Sequence, residues 1–200
     1  GTTVATNALV EGKVAPVGFV CNKGHPDILL YREAPRKRCF EFQLDYPEPL
    51  VPRVRTHEVD GRIDFQGREI VPLSEDDARD AVDRFRKMEV EAIAVCLLWS
   101  NVNGDHEVRV RDIIRESWAD IPITLSHELN PIPREYRRAA SAVIDASLYP
   151  IVSSYVSSLL DALAAEGFAA ERFLLANCTG GMMPPDAIIK KPIYSVMSGP

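Results

Sequence analysis

Residues 90 to 98 read V-E-A-I-A-V-C-L-L, almost wholly apolar and flanked on both sides by helical patterns. A nearly continuous apolar run between helices is the mark of an interior strand of a parallel sheet, buried on both faces. Upstream, Pro72 leads into Ser74-Glu75-Asp76-Asp77, an N-cap followed by acids in the first helical turn. Ala78, Ala81, Val82, Phe85 and Met88 then repeat at helical spacing and make one apolar face. Downstream, a second helix is predicted from Asp105 to Trp118 with Val110, Ile113 and Ile114 inward, followed by a strand at Ile121 to Leu125. Strand and helix alternating in this way is an α/β layer architecture.

The pattern extends in both directions. Residues 14 to 21 read as a strand ended by Asn22-Lys23-Gly24, residues 27 to 31 as a short element, and residues 1 to 12 as a helix after Gly-Thr-Thr. Residues 33 to 53 are basic, then aromatic and proline-rich without a period, and read as a long ordered connection. Residues 54 to 71 alternate and are broken by Asp60-Gly61 and Gln66-Gly67, both hairpin signals. Residues 134 to 165 are helical in pattern, with Pro150 expected to break or kink the helix and Gly167 to end it. Residues 173 to 176 and 193 to 197 read as strands.

The 200 residues are 46% hydrophobic, enough for a sizeable core, and carry a net charge of -6. That balance argues against non-specific nucleic-acid binding, which needs a concentrated basic surface, and Arg36-Lys37-Arg38 is too short to supply one. No stretch approaches 18 consecutive apolar residues, so no membrane span is predicted. Cys21, Cys39, Cys96 and Cys178 are not spaced as a zinc ribbon or finger. A reduced, cytoplasmic location is the simpler reading.

Three glycine-bearing loops are candidates for chemistry. Asn177-Cys178-Thr179-Gly180-Gly181 follows a strand end, where ligands collect in α/β sheets. Its glycines allow close backbone approach to a phosphate, and its polar side chains can hydrogen-bond one; the alternative is a tight turn. Gly1-Thr2-Thr3 with Thr6-Asn7 offers hydroxyls and amides that orient an anion or simply cap a helix, and Ser198-Gly199-Pro200 opens another glycine turn. Cys178 is a nucleophile only with a base in reach, and no spacing places a histidine there. His106-Glu107 and His127-Glu128 both lack the second histidine of H-E-x-x-H. Arg134-Glu135-Tyr136-Arg137-Arg138 reads as a solvated helix start, with an interface or anion clamp as its alternative.

Several stretches resemble the hydantoinase A and oxoprolinase family. They are G-T-T-V-A-T-N-A-L at 1 to 9, P-L-V-P-R at 49 to 53, I-V-P-L at 70 to 73, E-A-I-A-V-C-L-L-W-S at 91 to 100, H-E at 106 and 107, E-Y-R-R at 135 to 138, and the closing S-G-P. The resemblance implies part of an actin/Hsp70/sugar-kinase-like fold, a mixed sheet flanked by helices with a β-hairpin insertion. It implies that residues 1–148 are the remainder of the N-terminal region and residues 149–200 the start of the hydantoinase A domain. A glycine-rich acidic D-x-G-G-T-x-T-D motif normally precedes the first stretch, so the chain is expected to be a piece of a longer protein and inert alone.

Members couple ATP hydrolysis to opening a lactam or cyclic imide, and related subunits serve acetone and acetophenone carboxylases. The resemblance thus implies an ATP-dependent cyclic-amide hydrolase acting through a phosphorylated intermediate, with ATP and Mg2+ as cofactors and a B-type subunit as partner. A ketone carboxylase subunit and a non-catalytic scaffold stay open beside it. By resemblance Gly1, Thr2, Thr3, Thr6 and Asn7 line the nucleotide or substrate cleft. Gly180 and Gly181 match the glycines of the family's S-N-G-G turn, with Thr179 keeping a hydroxyl beside them, and Ser198 and Gly199 match another glycine loop. Where many hydantoinase-type members have Ser-Asn, this chain has Cys178-Thr179.

Overall fold

A computed structural model describes residues 3–33, 48–168 and 173–198. Gly1, Thr2, Cys39, Gly199 and most of the 33 to 53 connection lie outside the described residues. The chain divides into two compact units, Val17–Val143 and Gly1–Pro16 with Ile144–Pro200.

After α1 (Val4–Val10), the Val17–Val143 unit runs β1 (Val17–Asn22), α2 (Ile28–Tyr31), a 3-10 turn (Arg53–Arg55), β2 (Thr56–Val59), β3 (Arg62–Ile63) and β4 (Glu69–Val71). It continues through α3 (Glu75–Lys87), β5 (Ala92–Cys96), α4 (Asp105–Ser117), β6 (Ile123–Leu125) and α5 (Ser126–Leu129). Four strands form one parallel sheet in the order β2-β1-β5-β6. Both central strands are buried along their whole length, as the apolar run at 90 to 98 requires. Ser74 Oγ accepts a hydrogen bond from the Asp77 amide, so the expected cap starts α3. Ala78, Ala81, Val82 and Phe85 of α3 and Val110, Ile113 and Ile114 of α4 pack with Val20, Ile93 and Val95 of the sheet, and Met88 packs at the edge. The Phe85 ring lies so close to Gly18 that a Cβ there would stand 2.7 Å from it, so only glycine admits this helix-to-strand approach.

The stretch 54 to 71 divides differently from the alternation. Its first part is not a hairpin arm: β2 pairs in parallel with β1, Val20 opposite His57. Asp60-Gly61 turns the chain out of the sheet with Gly61 at φ +144°, and its carbonyl accepts from the buried Asn22 amide at 2.7 Å. The hairpin is β3 with β4, closed around Gln66-Gly67. It is pinned to α4 where His106 Nε2 meets Glu69 at 2.6 Å.

The other unit holds α1, most of α6 (Glu135–Ala165), β7 (Leu175–Ala176), β8 (Met182–Met183), α7 (Pro185–Lys190) and a 3-10 turn (Pro192–Ser195). Ala5 and Ala8 of α1 pack with Leu148, Val152 and Val156 of α6, Leu175 of β7 and Ile188 of α7. α6 passes through Pro150 unbroken. Burial of Leu148 and Val152 on either side outweighs the roughly 3 kcal/mol that an interior proline costs. Gly167, at φ +82°, ends the helix, with Phe168 N–H donating to Leu163 O and Gly167 N–H to Ala164 O. By length and composition alone α6 is apolar enough to cross a membrane. Its buried side chains are accounted for by core packing, and its buried Asp145 accepts from the Ile193 amide.

Two strand expectations are corrected here. Residues 193 to 197 begin in a 3-10 turn rather than a strand, because Pro192 brings no amide to a ladder and Ser195 Oγ donates back to Pro192 O at 2.7 Å. Residues 173 to 176 contribute only the two-residue β7, which pairs antiparallel with β8 and not with the parallel sheet.

Candidate functional site

The Asn177–Gly181 loop is therefore the tip of a short hairpin, not the exit of a parallel strand. Asn177 organises it. Its side-chain Oδ1 accepts from Thr179 N at 3.0 Å, Thr179 Oγ1 at 2.8 Å and Gly181 N at 2.9 Å. Asn177 O also accepts from Gly180 N, and Gly181 O from Asn177 N. Gly180 sits at φ +84°, where a side chain is strained. Three donors converging on one oxygen are a donor set suited to an anionic oxygen. In this state the Asn177 amide oxygen occupies that point. Thr179 donates into the loop rather than outward.

The described parts of the three expected loops lie in one unit. Thr6 Oγ1, on α1, accepts from the Met197 amide at 2.9 Å, beside Ser198. The Cys178 amide donates to Tyr194 O at 2.8 Å, linking the hairpin tip to the 3-10 turn. Thr3 begins α1 without a side-chain cap hydrogen bond, and Thr3 and Asn7 are exposed. Ser198 is buried and its hydroxyl donates to Ser195 O at 2.8 Å. Cys178 is exposed.

A second polar cluster lies at the carboxyl ends of β5 and β6, and sequence reasoning missed it. Glu107 is fully buried. One of its oxygens accepts from Leu97 N at 2.8 Å and Ser126 Oγ at 2.6 Å, the other from His127 N at 3.2 Å and His127 Nδ1 at 2.7 Å. That carboxylate holds the His127 pKa above its ordinary value. Arg138 is also fully buried, so the solvated reading of the Arg134 to Arg138 stretch fails for it. Its guanidinium donates to Ser126 Oγ, Asn101 Oδ1, Ile132 O and Leu97 O. With its donors spent inside the protein, Arg138 is not an anion clamp. Arg137 forks onto Glu33 at 2.7 and 3.2 Å. The signal was helical spacing: Arg138 falls in the row of buried Ala142 and Asp145, and Glu107 in the row of buried Val110 and Ile114.

The remaining candidates are quieter. Burial lowers the His57 pKa, and its Nδ1 has no hydrogen-bond partner, which marks a neutral core histidine against Phe85. Burial pushes the Cys21 and Cys96 thiols up to about 12. Among the described residues no three His, Cys, Asp or Glu side chains are grouped to hold a metal ion.

Residues 1–118 match the family described as the hydantoinase/oxoprolinase N-terminal region, and residues 138–200 match the hydantoinase/oxoprolinase family. The chain belongs to the hydantoinase/oxoprolinase family. It is 34% identical to the caprolactamase subunit alpha of Pseudomonas jessenii across 100% of its own length and 29% of that protein. The crystal structure of the ATP-dependent caprolactamase from Pseudomonas jessenii superposes with a TM-score of 0.88 at 34% identity, covering 100% of this chain and 29% of that one. A nucleotide-free acetone carboxylase structure gives a TM-score of 0.83 at 27% identity, over 98% of this chain and 29% of the other. This hydantoinase/oxoprolinase chain thus spans under a third of the length of these relatives. Its α/β fold, with a helix-flanked sheet and a hairpin insertion, is the actin/Hsp70/sugar-kinase-like part that the resemblance implied, except that the four-stranded sheet among the described residues is parallel throughout rather than mixed.

Proposed function

We propose that the protein of which these residues are part is the nucleotide-handling subunit of an ATP-dependent cyclic-amide hydrolase, cytoplasmic and paired with a B-type subunit. One observation carries the reading: 34% identity to the caprolactamase alpha subunit across the full chain, matched by a TM-score of 0.88. An amide carbonyl is a poor electrophile, and ATP when bound would supply a phosphoryl group to its oxygen, which opens the carbon to attack by water so that the ring C–N bond breaks with the nitrogen leaving as the amine.

The residues described here bind and orient. Thr179 N, Thr179 Oγ1 and Gly181 N form a three-donor cradle, and rotation of the Asn177 side chain frees it for a phosphate oxygen. Gly180 keeps the turn open to close approach. Thr3, Thr6 and Asn7 line the same cleft in this reading, with Ser198 at its edge. Mg2+ bound with ATP would be held chiefly by the nucleotide phosphates and water, and among the described residues no three His, Cys, Asp or Glu side chains are grouped around a common point. On this reading the 200 residues alone are inert.

A second reading, an ATP-dependent ketone carboxylase subunit, is favoured by the TM-score of 0.83 to acetone carboxylase. Nucleotide hydrolysis by the full-length protein with its partner subunit separates the two. Stimulation by a cyclic amide with release of the ring-opened acid supports the hydrolase. Stimulation only by ketone plus bicarbonate moves the assignment to the carboxylases, and silence to both, without nucleotide binding, leaves a scaffold.

A further inference from the structure

Asn103-Gly104 is the chain's only asparagine–glycine pair; Asn7, Asn22, Asn101, Asn130 and Asn177 are followed by other residues. It joins the turn after β5 to α4 and is half-buried between the exposed Val102 and Asp105. The Asn103 side chain bends forward. Its Oδ1 accepts from the Asp105 amide at 2.9 Å, which draws Cγ over the intervening Gly104 peptide. The Gly104 amide donates to none of the described residues, and with no Cβ beside it that nitrogen is open to approach. At the other side-chain atom, Asn103 Nδ2 donates to Gly67 O at 3.0 Å and ties the tip of the β3–β4 hairpin to the start of α4. Asp60-Gly61 is the nearest comparison, but a carboxylate is a far weaker electrophile than an amide, and the Gly61 amide is already bonded to Asp60 Oδ1.

We propose that Asn103 is a site of spontaneous covalent modification, whatever reaction the protein carries, and that its conversion unties the hairpin. Hydroxide removes the Gly104 amide proton and the nitrogen attacks Asn103 Cγ. The side-chain nitrogen takes a proton from water and leaves as ammonia. Water then opens the cyclic imide, giving aspartate when one C–N bond breaks and isoaspartate when the other does. Ring closure onto the next amide is intramolecular and gains from that proximity. An amide carries donors and an acceptor, a carboxylate acceptors only. The aspartate product keeps the bond from Asp105 N, favoured by the N-terminal end of the 13-residue α4, but turns an anion toward the Gly67 carbonyl. The hairpin has little to replace that tie. β4 is exposed along its length, and a two-stranded hairpin is marginal alone. The Glu69–His106 contact and the edge of Phe65 on Trp99 remain. Isoaspartate does more, because its extra backbone carbon shifts Gly104, where even a Cβ would stand 2.5 Å from His127 Nε2.

Peptide mass spectrometry of the full-length protein, aged under native conditions at about pH 6 and about pH 9, tests the chemistry, with an isoaspartyl methyltransferase to label isoaspartate. Asn103 is expected to convert at least about tenfold faster than any other asparagine of these 200 residues, and faster at the higher pH. Asn103→Gln, which would have to close a six-membered ring, stays unmodified over the same period. Hydrogen exchange tests the consequence at the Asp64 and Gly67 amides, whose bonds to Arg68 O and Asp64 O close the hairpin. Exchange there should rise about tenfold in the aged protein and in Asn103→Asp, while α3 keeps its protection. The aged protein carries the test should Asn103→Asp fail to fold. Conversion at Asn103 no faster than at the other asparagines overturns the proposal. So does full conversion with hairpin exchange unchanged, or an equal rise in aged Asn103→Gln.

Discussion

His127 Nδ1 stands 2.7 Å from Glu107 Oε2, and the carboxylate it meets is fully buried at the carboxyl end of the parallel sheet. A carboxylate only accepts, so the imidazole N–H points inward. The ring lies directly over Gly104, where a Cβ would come within 2.5 Å of His127 Nε2. Glycine at 104 is therefore what lets the histidine reach the glutamate.

A pH dependence follows from this pair. Its hydrogen bond to Glu107 raises the His127 pKa above the unperturbed 6.5, so the protonated form is favoured by folding. The sign is that of a raised base: the stabilisation is complete below the unfolded pKa and is lost as pH rises through the folded value. His127→Gln and Gly104→Ala are both expected to lose it, the second by displacing the ring. Denaturant unfolding across about pH 5 to about pH 9 should show each variant furthest below the parent protein at the acid end, with the pH-dependent part of the gap closing toward the alkaline end. A gap that does not change with pH sinks this account.

Arg138 neutralises the same cluster. It reaches Glu107 through Ser126 Oγ while two of its donors hold the carbonyls of Leu97 and Ile132. Removing it takes the permanent cation from the Glu107 cluster and leaves the buried carbonyls of Leu97 and Ile132 without its donors, a loss that costs about 3–5 kcal/mol in comparable settings. Arg138→Met is expected to destabilise by that order in denaturant titrations. Arg138→Lys should rescue little, because an ammonium cannot span acceptors arranged for a planar fork. Full rescue by lysine would show that charge alone matters.

The sheet and its two covering helices were legible because burial there is written in hydrophobic period: Ala92–Cys96 is apolar at every position, and α3 and α4 repeat at helical spacing. The Ser74 cap and the Gly167 stop were legible because local chemistry alone fixes them. Arg138 and Glu107 misled because residue type was allowed to outvote position, although both fall in buried rows. Thr56–Val59 and residues 193 to 197 misled for a different reason. Alternation does not say which partner a strand finds, and a proline at 192 closes a turn more readily than it enters a ladder. Of the candidate site, the three loops were visible as glycine-bearing breaks. The reach of Asn177 across its own turn was not, because it depends on side-chain geometry that spacing does not encode.

Thiol reactivity separates the described cysteines. Cys21 and Cys96 face each other in register on β1 and β5, and burial raises both to about 12, so they stay protonated near neutral pH. At pH about 8 only about one in ten thousand of such thiols is thiolate, the species that alkylating reagents attack. Cys178 is exposed. Maleimide is expected to label Cys178 in the native protein and to reach Cys21 and Cys96 only after denaturation, as peptide mass spectrometry would report. Native labelling at Cys96 would mean that the sheet end opens far more readily than its packing implies.

The Asn177 oxygen yields the sharpest test of the phosphate cradle. Asn177→Asp keeps an acceptor at the point where Thr179 N, Thr179 Oγ1 and Gly181 N converge, and a charged acceptor strengthens those bonds. The turn should hold at least as firmly. A phosphate oxygen, however, must now displace a carboxylate from its own donors and sit beside its charge. Nucleotide affinity of the full-length protein should fall at least about tenfold, roughly 1.4 kcal/mol, while its unfolding midpoint stays or rises. Thr179→Val weakens both, because it removes one donor from turn and ligand alike. Loss of affinity with retained stability in the aspartate variant is a pattern that a purely structural turn does not produce, and unchanged affinity would remove the Asn177–Gly181 loop from the nucleotide site.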